Sequence, residues 1–203
     1  MLHRDVAGVV QSVGMSWLRY VTHPDVVVDP SLAVERWTLS ERGEQRARAM
    51  LAQPWVPEVR RVVSSDETKA VRTAQIVAEH LGLDVEVLEG LGENDRSATG
   101  FLPPAEFEAM ADRFFAHPER SAEGWERAVD AQRRIVESLA PVLAAATGTE
   151  TVVVGHGGVG TLWWCALTDR TISREHDQPG QGHYFTVEAV TTTVRHGWRP
   201  IDG

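Results

Sequence analysis

Three scarcities narrow the field before any motif is considered. The chain of 203 residues holds one cysteine, Cys165, set in the apolar run 162–167. It cannot close an internal disulfide and reads as a small buried hydrophobe in a reducing compartment. No apolar stretch approaches the roughly 18 residues that a membrane span requires, and Asp5 and Gln11 break what would have to be the apolar core of a secretory leader. Positive charge is also short: 20 Lys and Arg stand against 29 Asp and Glu, a formal net charge of -9. Nucleic-acid binding draws most of its affinity from clustered cations, so no nucleic-acid partner is expected, and an anionic ligand must meet a local positive site. The 8 histidines are scattered, with no His-x-x-x-His pair or Cys/His cluster at ligand spacing, so no metal or other cofactor is expected. These features predict a cytoplasmic protein with no membrane partner and leave its oligomeric state open.

What is present is an ordinary globular composition, 42% apolar, in a chain long enough to bury a continuous core. Residues 1–14 read as an N-terminal extension and 15–203 as a single domain, with an insertion around 93–124 rich in Pro and Phe. Residues 17–23 alternate as a strand that stops at Pro24, and Ser40 caps a helix over 41–51. A strand over 61–65 leads into a helix from Asp66 to Leu81, ended by Gly82, and 84–88 alternates as a third strand. Helices follow over 104–116 and 122–146, the second running through Pro141. Residues 151–155 form an uninterrupted buried strand before a Gly-rich turn and an apolar helix over 159–167; 183–188 and 191–195 close the chain as strands. Strands alternating with helices predict an α/β fold, three-layer α/β/α with a mostly parallel central sheet.

Ligands of open α/β sheets bind beyond the carboxyl ends of the strands. The residues there are His23, the pair Ser64 and Ser65, Glu93 and His156. Gly155 to Gly160 fits G-x-G-x-x-G after a strand, with Asp177 near the spacing of a ribose-binding acid. Asp177, however, lies in a polar loop and not at the end of the next strand, so a dinucleotide site is the weaker reading. The segments Thr22-His23-Pro24, Leu39-Ser40 with Gly43, Gln45 and Ala47, Ser64-Ser65 followed by Lys69-Ala70 and Thr73-Ala74, Gly92-Glu93, and Gly155-His156-Gly157 stand in colinear order. In that order they resemble the histidine phosphatase superfamily, the phosphoglycerate mutase-like enzymes. There a strand ends in Arg-His-Gly, a second in Ser-Ser before Arg-Ala-x-x-Thr-Ala, a Glu follows the third, and a late strand ends in His-Gly.

The resemblance implies a metal-independent phosphatase of small phosphorylated molecules acting through a phosphohistidine. The alternatives are a phosphoglycerate mutase-type phosphotransferase, or a non-catalytic member that binds a ligand or a protein partner. It implies His23 as nucleophile, His156 beside it and Glu93 as general acid, with Asp25 and Asp95 as rivals. Substrate-binding positions are Thr22, Ser65, Lys69, Gly157 and His183, with Arg72 or Arg96 reaching inward. The motif departs from the family where it would hold phosphate: Thr22 and Lys69 stand at its two arginines, and Pro24 replaces Gly. A lysine offers one point charge where arginine presents a planar fork. Arg19 cannot substitute, because four residues back along a strand is roughly 13 Å. The segments 93–124 and 174–182 are expected to wall the site and set specificity.

Overall fold

In the computed structural model, which describes residues 15–203, the site is positioned by one six-stranded sheet. The strands are β1 (Trp17–Thr22), β2 (Arg61–Ser64), β3 (Val85–Val87), β4 (Thr151–Gly155), β5 (His183–Glu188) and β6 (Val194–Pro200), in the order β3-β2-β4-β1-β5-β6. Pairings β3/β2, β2/β4 and β4/β1 are parallel; β1/β5 and β5/β6 are antiparallel. The helices are α1 (Glu41–Ala49), α2 (Thr68–Leu81), α3 (Pro104–Ala116), α4 (Ala128–Ala145) and α5 (Gly157–Leu167).

The period of two along each strand divides the core into the two halves of a three-layer fold. Leu18 and Tyr20 of β1, Val63 of β2, Val153 of β4 and Phe185 and Val187 of β5 join Ile135 and Leu139 of α4 and Leu162 of α5 in one cluster. Their strand neighbours Val21, Val62, Val152, Val154 and Tyr184 pack with Ala70, Ala74 and Val77 of α2 on the opposite face. Both faces of the central strands are covered, which is why Thr151–Gly155 is buried throughout.

Local signals set most boundaries. The Gly43 N–H donates to Ser40 Oγ at 3.1 Å, which caps α1, and Gly82 in the left-handed region (φ 67) ends α2. Several boundaries differ from the sequence expectation; α5, for example, takes in the expected Gly-rich turn and begins at Gly157 rather than 159. Helix α4 begins at Ala128 rather than 122, because Glu123 (φ 48) and Gly124 (φ 89) turn the chain through left-handed backbone. Strand β6 runs over 194–200 rather than 191–195, because Thr192 (φ 55) belongs to the turn after β5. Helix α2 starts at Thr68, after Asp66 and Glu67. The expected N-terminal extension, 1–14, lies outside the described residues. No helix of the described residues is long and apolar enough to cross a membrane.

Candidate active site

Strand β4 lies between β2 and β1 and runs parallel to both, so the residues that follow these strands form a row: Ser65, His156, His23. Thr22 pairs with Gly155, and the His23 N–H donates to Gly155 O at 3.2 Å, which sets the two histidines side by side. Their rings are 5.3 Å apart, edge to face.

His23 is buried, and its Nδ1 lies 2.9 Å from Pro24 O. A carbonyl oxygen only accepts, so Nδ1 carries the proton and Nε2 keeps its lone pair. Proline thus removes an N–H donor from this turn but supplies the carbonyl that selects the tautomer. Burial, aided by the charges of His156 and Lys69, pushes the His23 pKa from 6.5 down to about 3, so the ring is neutral near pH 7.

His156 is almost wholly buried. Its Nε2 is 2.7 Å from Ser65 Oγ and 3.3 Å from Glu67 Oε1, while its buried Nδ1 has no hydrogen-bond partner. Burial lowers its pKa against the opposing charges of Glu67 and Glu93. The backbone of His156 is clamped by Tyr20, whose hydroxyl donates to His156 O and accepts from His156 N–H, both at 3.1 Å. Gly155 is required here: a Cβ on it would lie 2.4 Å from Tyr20 Oη.

Lys69, the only lysine of the chain, is buried on α2. Its Nζ donates to Val34 O at 2.8 Å and to Glu67 Oε2, which leaves one of three ammonium protons free. Glu67 is equally buried, and its Oε1 accepts the Glu93 N–H at 2.8 Å. Burial raises its pKa, but the charges of His156 and Lys69 outweigh burial and hold it at about 2. The lysine that the sequence offered to the pocket therefore belongs to an ion pair. A buried ammonium without a counter-charge is costly, and Glu67 removes that cost.

Glu93 reaches the start of α5. Its Oε2 accepts from Gly158 N–H at 3.0 Å and its Oε1 from Val159 N–H at 2.9 Å, so the carboxylate caps the helix whose first residues follow His156. A Cβ on Gly158 would lie 2.7 Å from Glu93 Oε1, so glycine allows this approach.

The remaining expected site residues divide. Thr22 is fully buried and its hydroxyl is committed: it donates to Gln178 Oε1 at 2.6 Å and accepts from His183 N–H at 3.0 Å. Ser65 stands behind His156, and Gly157 opens α5 where a Cβ would meet the Gln178 side chain at 2.3 Å. His183 bonds Gly180 O through Nδ1 at 2.7 Å and stands outside the cavity walls. Arg72 is drawn away by Glu44 of α1 (2.5 Å) and Glu79, because its helix position faces α1. Of the rival acids, Asp25 pairs with Arg46 and Arg42, and Asp95 accepts from Ser97 N–H. Arg19 pairs with Glu150 near the opposite end of β1. Arg96 lines the cavity over His23, its guanidinium 5.2 Å from the Phe107 ring and 5.6 Å from the Trp125 ring. No carboxylate among the described residues pairs with it.

A model of the histidine phosphatase superfamily (branch 1) matches residues 35–196. The chain belongs to this superfamily. The match begins after Thr22-His23-Pro24, so that segment lies outside it. No curated protein matches this histidine phosphatase superfamily member in sequence. Its fold is similar to that of Bacillus stearothermophilus YhfR, at 21% identity over 89% of this chain and 94% of that one, with a TM-score of 0.74. It is also similar to the mycobacterial glucosyl-3-phosphoglycerate phosphatase (21% identity, 91% and 99% covered, TM-score 0.72). A third likeness is to phosphoserine phosphatase from Entamoeba histolytica (16%, 91% and 98%, TM-score 0.75). At these identities the likeness is one of fold.

Sequence reasoning missed Glu67, Tyr20 and Gln178. Glu67 was legible as an acid two residues before the only lysine, in a segment expected to hold an anion. Tyr20 was legible as an inward strand position with a hydroxyl to satisfy. Gln178 lies in a polar loop and carries no signal. Among the described residues, no group of three or more His, Cys, Asp or Glu is arranged to hold a metal ion.

Proposed function

We propose that the protein is a phosphatase of small phosphorylated molecules that works through a phosphohistidine at His23 Nε2. One observation carries the reading: a neutral imidazole at the cavity floor, with Nδ1–H held by Pro24 O and the Nε2 lone pair unclaimed. In the first half, the Nε2 lone pair forms the N–P bond as the ester P–O bond breaks, and Glu93, entering the cycle in its protonated form, delivers that proton to the leaving oxygen. In the second half, water gives its proton back to Glu93 and its oxygen to phosphorus, the N–P bond breaks, and inorganic phosphate leaves. The charge of the transferred group is met by the third Lys69 proton, by Arg96 and by the partnerless Nδ1 of His156 when that atom is protonated. These donors occupy the role that the family gives to two arginines.

A second reading, a non-catalytic member that binds a ligand, is favoured by the Lys69–Glu67 pair and the committed Thr22 hydroxyl, since both withdraw stabilisation from a phosphoryl group. Rapid acid-free quench with 32P-labelled phosphomonoesters separates the two. The phosphatase reading expects base-stable, acid-labile label that disappears in His23→Ala. Absence of label, with vanadate binding retained and dependent on Lys69, establishes the non-catalytic reading.

A further inference from the structure

The cavity over His23 has a volume of about 550 Å³, ample for a phosphoryl group and an organic body of ten or so heavy atoms. Its walls are mostly apolar, with Lys69, Arg96, Glu108 and Gln181 as their polar members beside His23. Val26, Val28 and Val34 come from the segment after His23, and Trp37 and Phe101 pack at 6.0 Å between ring centroids. Val28 and Leu32 are about half exposed, so the apolar surface extends along this loop beyond the cavity.

The cations are few and mostly spent. Lys69 is paired with Glu67, and Arg174 at the neighbouring cavity is held by Glu108 and Asp112. Of the cations that line these cavities, Arg96 alone has no carboxylate partner among the described residues, and one phosphoryl group suffices to claim it. A second anionic group on the ligand would find no unpaired cation, and Glu108 on the same wall would repel it. A polyol body would exchange its water hydrogen bonds for valine and aromatic walls.

We propose that this site takes a phosphomonoester with one anionic group and an apolar, uncharged organic body, and discriminates against phosphoglycerates, phosphoamino acids and sugar phosphates. The proposal rests on the phosphatase reading for its reaction, while its ligand class can be measured without turnover.

The kinetic test compares 2-phenylethyl phosphate with glycerol 3-phosphate and 3-phosphoglycerate, all with alkoxide leaving groups. Burial of one phenyl ring, discounted for incomplete enclosure, predicts kcat/KM larger for the phenylethyl ester on the order of 30- to 100-fold. Phe101→Ala should reduce that ratio by about 10-fold. In parallel, calorimetry compares 2-phenylethylphosphonate with 3-phosphonopropanoate. Selective binding of the phenyl phosphonate without turnover of any ester upholds the ligand class and sinks the phosphatase reading. Turnover without preference, or preference for phosphoglycerate, overturns the ligand class and leaves the phosphatase reading standing. No binding of either phosphonate together with no turnover overturns both.

Discussion

Replacing Glu67 by Gln tests the charge arrangement at the centre of the site. The carboxylate accepts from two donors on separate oxygens, Lys69 Nζ at Oε2 and the Glu93 N–H at Oε1. An amide has one acceptor oxygen, so in Glu67→Gln one of these donors must face an N–H group. The buried Lys69 also loses its counter-charge. Breaking a buried pair from one side costs about 3–5 kcal/mol, and the remaining amide contact brings the expected loss to about 3 kcal/mol. The same change favours an anion. At a separation on the order of 6 Å a carboxylate repels an anion by roughly 3 kcal/mol at an effective dielectric of about 20, so removing one beside the anion site should tighten inorganic phosphate or vanadate binding by up to about 100-fold. Urea unfolding with and without phosphate measures both effects. The variant should be less stable alone and, at one phosphate concentration well above both dissociation constants, gain up to about 3 kcal/mol more from phosphate than the wild type does. A variant that loses stability but binds phosphate no more tightly would show that Glu67 does not face the anion site. One that loses no stability would refute the buried-pair argument itself.

Two further outcomes are expected. Unfolded His23 binds a proton below pH 6.5, whereas the folded residue does so only near about 3, so between these values the unfolded state holds more protons and stability rises with pH. Acidification from about pH 6.5 to about 4.5 should remove about 2–3 kcal/mol through His23, and urea unfolding of His23→Gln should show a visibly flatter pH dependence; an unchanged slope would mean that His23 is not buried neutral. Glu93→Gln leaves one acceptor for the Gly158 and Val159 N–H groups, so thermal or urea unfolding should show a loss of about 1–2 kcal/mol. If Glu93 also protonates the leaving oxygen, turnover of alkyl phosphates should fall at least about 10-fold further than that of nitrophenyl phosphate, and equal losses would confine it to capping.

The sequence by itself determined the layers and the order of the parts. Alternation along 17–22 and 183–188, the buried run 151–155 and the helical spacing of Ala70, Ala74 and Val77 are local patterns whose period dictates which face is covered, and the structure keeps them. It also placed His23 and His156 at strand ends, because a strand followed by a proline or glycine turn announces where the backbone leaves the sheet. Only the tertiary structure decided how these groups are wired. That Gly155 lies against Thr22, and so brings the histidines within 5.3 Å, depends on β4 inserting between β2 and β1, a pairing between residues more than 130 positions apart. That Lys69 is neutralised by Glu67, that Arg72 turns to Glu44, and that Glu93 caps α5 depend on side-chain directions across separate elements. Charge in a sequence can be counted by position, but whether a cation is available to a ligand depends on which carboxylate shares its low-dielectric surroundings, and that is settled only when the chain has folded.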